Sequence, residues 1–235
     1  MTKNGNSLDQ RTFSKLSRLY IIALSTIAFS VIISQLLVRN HLNNQESDST
    51  VINIAGRQRM LSQKLTKEIV SLTFTDDKIN RAILKNKIKE TLQLWELSHY
   101  ALQDGSQSLG LPGENSKKIK AKFKVINPIF DSIQKASKSI INKLDNSLIV
   151  PLDVLALDIN GITAKESDFL LMMDAIVNQY DLEADEKVVW LRKLELSLMA
   201  LTLLILLAEF LFIFWPTAKS VKATLSKLLL SLIHI

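Results

Sequence analysis

Residues 119–144 read IKAKFKVINPIFDSIQKASKSIINKL, and their spacing decides the fold class. Ile119, Phe123, Ile126, Phe130, Ile133, Ser137, Ile140 and Leu144 alternate by four and three without a slip. That is the period of a helix with one buried stripe; a half-buried strand alternates every second residue instead. Pro128 lies inside the run. Asn127 can cap a new helix with Pro128 at its first position, but the unbroken phase favours a kink within one helix.

The same period continues on both sides. From about Lys78 to Gln103, Ile88, Leu92, Trp95, His99 and Leu102 share one stripe, and Asp77 can cap the start. Before it a helix is expected from about Thr50 to Thr73, with the polar residues 42–50 as a weak joint or a solvated part of one continuous helix. Residues 104–113 hold three of the six glycines and read as a loop. Residues 146–151 make the next turn, and Asn160-Gly161 reads as a further break or kink. A last helix is expected from near Thr163, carrying Phe169, Met173, Ile176, Tyr180, Val188 and Leu191. Gly and Pro together number 10 of 235 residues, about a third of the usual share, so turns are few. The expected class is all-α: an up-down four-helix bundle, which returns the chain to the side it started from.

Two apolar runs flank that middle. Residues 19–38 carry no charge, and residues 196–215 carry one, Glu209. Each has the length of a bilayer-spanning helix, roughly 20 residues. Lys3, Arg11, Lys15 and Arg18 precede the first run against one acid, Asp9; Lys219, Lys222 and Lys227 follow the second with none. Basic flanks stay in the cytoplasm. The predicted organisation is a cytoplasmic N-terminus (1–18), a first span (19–38), an extracytoplasmic four-helix bundle (39–193), a second span (196–215) and the start of a cytoplasmic helix (216–235), in which Val221, Leu225 and Leu228 are spaced like a coiled-coil seam.

Several chemistries are excluded or unsupported. There is no Cys, hence no disulfide, thiolate metal site or cysteine nucleophile. His41, His99 and His234 have no metal-ligand spacing, and no phosphate-loop, zincin or nucleophile-elbow motif occurs. No catalytic residue, metal or cofactor is expected. The lysines between 117 and 124 read as a solvated helix face, and no nucleic-acid partner is expected. Trp95 and His99 read as core residues, and Glu209 as a candidate for a dimer contact or signalling role inside the second span.

One segment looks like a site: Val51-Ile52-Asn53-Ile54-Ala55-Gly56-Arg57-Gln58-Arg59-Met60-Leu61-Ser62-Gln63-Lys64-Leu65. Helical phase puts Arg59 in a seam with Ile52, Ala55, Ser62, Thr66 and Ile69, beside Gly56. An arginine there needs a carboxylate, backbone carbonyls or a bound anion, because an unpaired buried charge is costly. The nearest acid in the same helix is Glu68, nine residues on. In a two-fold homodimer a seam arginine meets its own copy, and two guanidiniums make a clamp for a planar oxyanion. The alternative is a structural pair with an acid from another helix, such as Asp174.

At this segment the chain resembles a known family. I-N-x-A-G-R-Q-R-M-L-S-Q-K looks like the signature of the type IV pili methyl-accepting chemotaxis transducer N-terminal domain, or PilJ-type domain. More remotely it is similar to the start of the periplasmic domain in nitrate/nitrite sensor kinases. Trp95-x-x-x-His99, Gly105 and Leu109-Gly110-Leu111-Pro112 look like the family's second helix and following loop. Phe169-Leu170-x-x-Met173-Asp174-x-x-Val177 resembles its last helix, and Phe214-Trp215-Pro216 its exit from the membrane. The resemblance implies a dimeric ligand-sensing bundle feeding a cytoplasmic output module: histidine kinase, diguanylate cyclase or methyl-accepting transducer. By motif position Arg59 matches the arginine that contacts the anion in the nitrate sensors, while Arg57 is extra and Lys64 stands for a second arginine. The expected site is Arg59 with Asn53, Gly56, Arg57, Ser62 and Gln63, taking a small anion or polar ligand. The expected partners are the lipid bilayer, a second copy of the chain and the output module. The competing reading is a membrane-anchored structural or interaction module with no small-molecule ligand.

Overall fold

Five α-helices account for most of the chain: α1 (Gly5–Ser71), α2 (Lys78–Asp104), α3 (Lys117–Asn146), α4 (Leu152–Glu209) and α5 (Trp215–Ile233). The computed structural model describes the backbone of residues 5–233. Side chains are described for the same residues except 5–13, 15–16, 40–46, 224, 227–228 and 231–233. The expectations placed on Lys3, Arg11, Lys15, His41, Lys227, Leu228 and His234 fall outside what is described. Among the described residues there is no strand, only an isolated bridge between Ser106 and Leu111.

The chain divides into two units, one holding residues 43–187 and the other the segments before and after it. The middle unit takes its core from four helical segments: Leu65 and Ile69 of α1, Ile88 and Trp95 of α2, Phe123 to Leu144 of α3, Phe169 and Ile176 of α4. Every residue of the expected stripes in α2 and α3 is buried, including His99 and Ser137. Burial of each large apolar side chain contributes roughly 1.5–3 kcal/mol, which is what holds these segments as helices in one core.

Local signals set the helix ends. Asp77 caps α2 by accepting from the Asn80 amide at 3.0 Å, and Ser116 caps α3 by accepting from Ile119 at 3.1 Å. Between α2 and α3 the backbone turns at Gly113 with φ +73°, where a Cβ would stand 2.6 Å from the Asp104 carbonyl group. Pro128 sits on the exposed face of an unbroken α3, so the amide it lacks is missing where water reaches the backbone.

One expectation is corrected. Asn160-Gly161 does not break the last helix; α4 starts at Leu152 and runs through both residues. Leu155, Ile159 and Ile162 are buried around them, and this packing outweighs the roughly 1 kcal/mol that a helical glycine costs.

At the turns between α1 and α2 and between α3 and α4, Arg81 is buried, and its guanidinium is bonded to backbone carbonyls. Its Nε donates to the carbonyl of Thr75 at 2.5 Å, its Nη1 to Leu148 and Val150 at 3.2 and 3.1 Å, and its Nη2 to Leu72 at 3.2 Å. These carbonyls lie just past the C-terminal ends of α1 and α3, where the helix dipole is negative.

The other unit holds the apolar stretches of two helices long and apolar enough to cross a membrane. An 18-residue window within Ser17–Arg39 has a mean hydropathy of 2.3, and one within Leu152–Ala223 has 2.5. Almost none of either window is buried, unlike a core helix of a soluble protein. Within this unit the hydroxyls of Ser30 and Thr202 lie 2.7 Å apart, and the rings of Tyr20 and Phe214 meet edge-on at 5.6 Å. Glu209 is buried, with Oε1 lacking a hydrogen-bond partner, and a π-helical turn, Phe210–Phe214, follows it directly.

Candidate functional site

Arg59 projects from α1 one turn after Gly56, and its Nη2 lies 3.9 Å from where a Gly56 Cβ would be. The guanidinium therefore lies over a residue with no side chain. Its partner is Asp174 of α4: Nη1 donates to Oδ1. The alternative read from the sequence, a pair with an acid from another helix, is thus formed. Both side chains are about half exposed, 41% for Arg59 and 52% for Asp174. Arg59 is accordingly not sealed in the seam as its phase suggested.

The pair lies in an open groove of ≈ 340 Å³ lined by Gly56, Arg59, Met60, Gln63, Leu170 and Asp174. Of the six expected site residues, Gly56, Arg59 and Gln63 come together here. Asn53, Arg57 and Ser62 do not line the groove. At about 100° per residue, Arg57 lies about 200° and Asn53 about 240° around α1 from Arg59, and both are exposed. Ser62 is on the near side but buried, with its hydroxyl donating to the Arg59 carbonyl at 2.9 Å. That contact fixes the α1 backbone under Arg59 rather than presenting a donor to the groove.

Behind the groove lies a polar layer that the helical wheel missed. Gln58 is fully buried, its Nε2 donating to the Trp95 carbonyl at 3.0 Å while its Oε1 has no partner. The true centre of the buried face of α1 passes through Gln58, Leu61, Leu65 and Ile69, one residue away from the seam centred on Arg59. The signal was present as a polar residue flanked by apolar ones at the helical period. Trp95 packs on Phe130 and Phe169 with ring centroids 4.3 and 5.0 Å away.

His99 stacks flat on Phe130 at 3.7 Å, and its Nε2 lies 2.9 Å from Asn127 Oδ1. Because that oxygen only accepts, Nε2 carries the proton. Burial pushes the imidazole down to about 4, against the opposing pull of Asn127 and of the Asp131 charge. His99 is therefore a neutral core residue, as expected.

A second cavity of ≈ 180 Å³ lies in the same unit among Asp48, Val51, Leu111, Asn115, Tyr180 and Glu183. Its polar groups are largely engaged with one another. The Tyr180 hydroxyl donates to Asn115 Oδ1 at 2.7 Å, Ser116 donates to Glu183 at 2.7 Å, and Lys187 pairs with Asp48 at 2.7 Å. Burial, reinforced by the Glu183 charge, raises the Tyr180 phenol above its ordinary value. Among the described residues no group of three or more acids and histidines is placed to hold a metal.

Chemically, the Arg59 groove can present a planar, permanently charged donor fork to a small acceptor, with an apolar wall from Met60 and Leu170. It holds no nucleophile–base pair.

Residues 41–150 match the family model of the type IV pili methyl-accepting chemotaxis transducer N-terminal domain, PilJ. The resemblance read from the sequence is borne out over that segment, which carries Arg59 and its groove neighbours on α1, all of α2 and all of α3. Asp174 lies beyond it. Such a match implies the input region of a chemotaxis transducer, a sensory rather than catalytic part. No curated protein and no solved structure matches the chain.

Proposed function

We propose that this chain is the sensory input region of a bacterial transmembrane signalling receptor. Residues 39–193 form an extracytoplasmic up-down four-helix bundle, spans 19–38 and 196–215 cross the inner membrane, and both termini are cytoplasmic. The chain acts as a homodimer and passes its signal to a cytoplasmic output module. The observation that carries this reading is the PilJ match on 41–150, set between two apolar helices long enough to span a bilayer. The orientation is supported by basic residues outside both spans and a nearly charge-balanced middle.

The proposed ligand is a small anion held at Arg59, with Gly56 and Gln63 beside it. Its binding shifts α1 against α4 by the 1–2 Å typical of interface helices, and both helices lead on toward the spans. The deciding experiment has two parts. Reporter fusions after residues 110 and 230 are expected on opposite sides of the membrane; the same side for both defeats the topology. A small-anion screen by thermal shift is expected to stabilise the wild type but not Arg59→Ala, by about 2.7 kcal/mol at 100 times the dissociation constant.

One observation favours a second reading, a membrane-anchored interaction module without a ligand: Arg59 already has a carboxylate partner in Asp174. On that reading Arg59→Ala costs stability and no anion stabilises the wild type.

A further inference from the structure

Asp174 stands where an anionic ligand of Arg59 would stand. Among the side chains lining the groove, Arg59 is the one cation, and its Nη1 is already occupied by the Asp174 carboxylate. Gln63, Met60, Leu170 and Gly56 complete the lining and bring no second positive charge to share between two anions. An anion that takes the same Nη1 edge of the guanidinium competes with Asp174 for it, and the two like charges repel.

Separating the resident pair is easy. Both side chains are about half exposed, and ion pairs in that setting contribute little net stability. Asp174 sits on the exposed face of α4, so its carboxylate returns to water without a desolvation cost. The pair also has a place in the fold. Among the described residues of the middle unit, two ion pairs join α1 to α4: Arg59 with Asp174, and Asp48 with Lys187 at 2.7 Å.

Resting on the assignment of Arg59 as the ligand-binding residue, we propose that Asp174 is a built-in competitor. Its carboxylate holds the guanidinium in the ligand-free protein, and a small planar oxyanion, a carboxylate or nitrate, binds by displacing it. The ligand class follows from the group being replaced: a planar anion of similar size reproduces its contact. Binding exchanges a bond between α1 and α4 for one between α1 and the ligand. The affinity of the site is set by how weakly Asp174 holds on.

The test titrates the full-length chain in detergent with sodium acetate and with sodium nitrate at constant ionic strength, following heat. Asp174→Asn keeps the side-chain shape and removes the charge; Asp174→Ser serves as an independent second variant, and far-UV circular dichroism verifies that each retains wild-type helicity. Both variants are expected to bind the preferred anion about fivefold tighter than the wild type, and Arg59→Met not at all. Wild-type binding that Arg59→Met abolishes but the Asp174 variants leave equal or weaker overturns the competitor and keeps the Arg59 site. Binding that survives Arg59→Met, or no binding of either anion by the wild type and both Asp174 variants, overturns the Arg59 site and the competitor with it.

Discussion

Arg81 and Arg59 are the same chemical group in opposite settings. Arg81 is 5% exposed, and its guanidinium is spent on four backbone carbonyls around two turns. Arg59 is about half exposed and held by one carboxylate over a glycine. The first arrangement leaves no room for a partner from solution. The second engages Nη1 with one carboxylate, out of the five donors the fork carries. A guanidinium fixed by carbonyls joins parts of a fold together; one fixed by a single exposed acid remains available for exchange.

That contrast is most easily broken at Arg81. Arg81→Ala is expected to lower the stability of the folded chain by about 3–5 kcal/mol, because it strips the donors from several buried carbonyls at once. Chemical denaturation in detergent, followed by circular dichroism, measures it. A loss below about 1 kcal/mol would make Arg81 no more structural than Arg59.

His99 sharpens the same point for a closed polar site. Its folded value of about 4 lies below the ordinary 6.5, so the unfolded chain binds the proton more readily. The stability it confers is fully present above about pH 6.5 and is lost as the pH falls toward 4. Its upper bound is about 3 kcal/mol. Denaturation midpoints between pH 7 and 4 should fall in the wild type and fall less in His99→Gln, whatever that variant's own stability.

The smallest effect is expected at the open site. Arg59→Ala should change stability by less than about 1 kcal/mol in the absence of added anions. A larger loss in the same denaturation assay would move Arg59 into the class of Arg81 and support the ligand-free reading.

The stripes of α2 and α3 were legible because each expected core position carries an apolar or core-tolerated residue at the helical period. Asn160-Gly161 misled because propensity is a local quantity, while Leu155, Ile159 and Ile162 act through burial. Arg59 was visible by phase and glycine neighbourhood, and Asp174 was identifiable only as one acid among several, since the pair spans 115 residues. Arg81 had no signature at all: its partners are backbone carbonyls, which every residue possesses. Gln58 was passed over because a wheel centred one residue off placed it at the edge of the buried face.

The π-helical turn Phe210–Phe214 introduces a phase offset. A π turn closes its hydrogen bonds one residue later than an α turn. Counted along the chain from α4, every residue of α5 therefore arrives one position late, about 100° behind an uninterrupted α-helix. Val221 and Leu225 look in the direction that the residue before each would otherwise face. Tightening those five residues into α geometry would turn this edge about the helix's own axis, like advancing a screw by a fraction of a thread, without bending the helix.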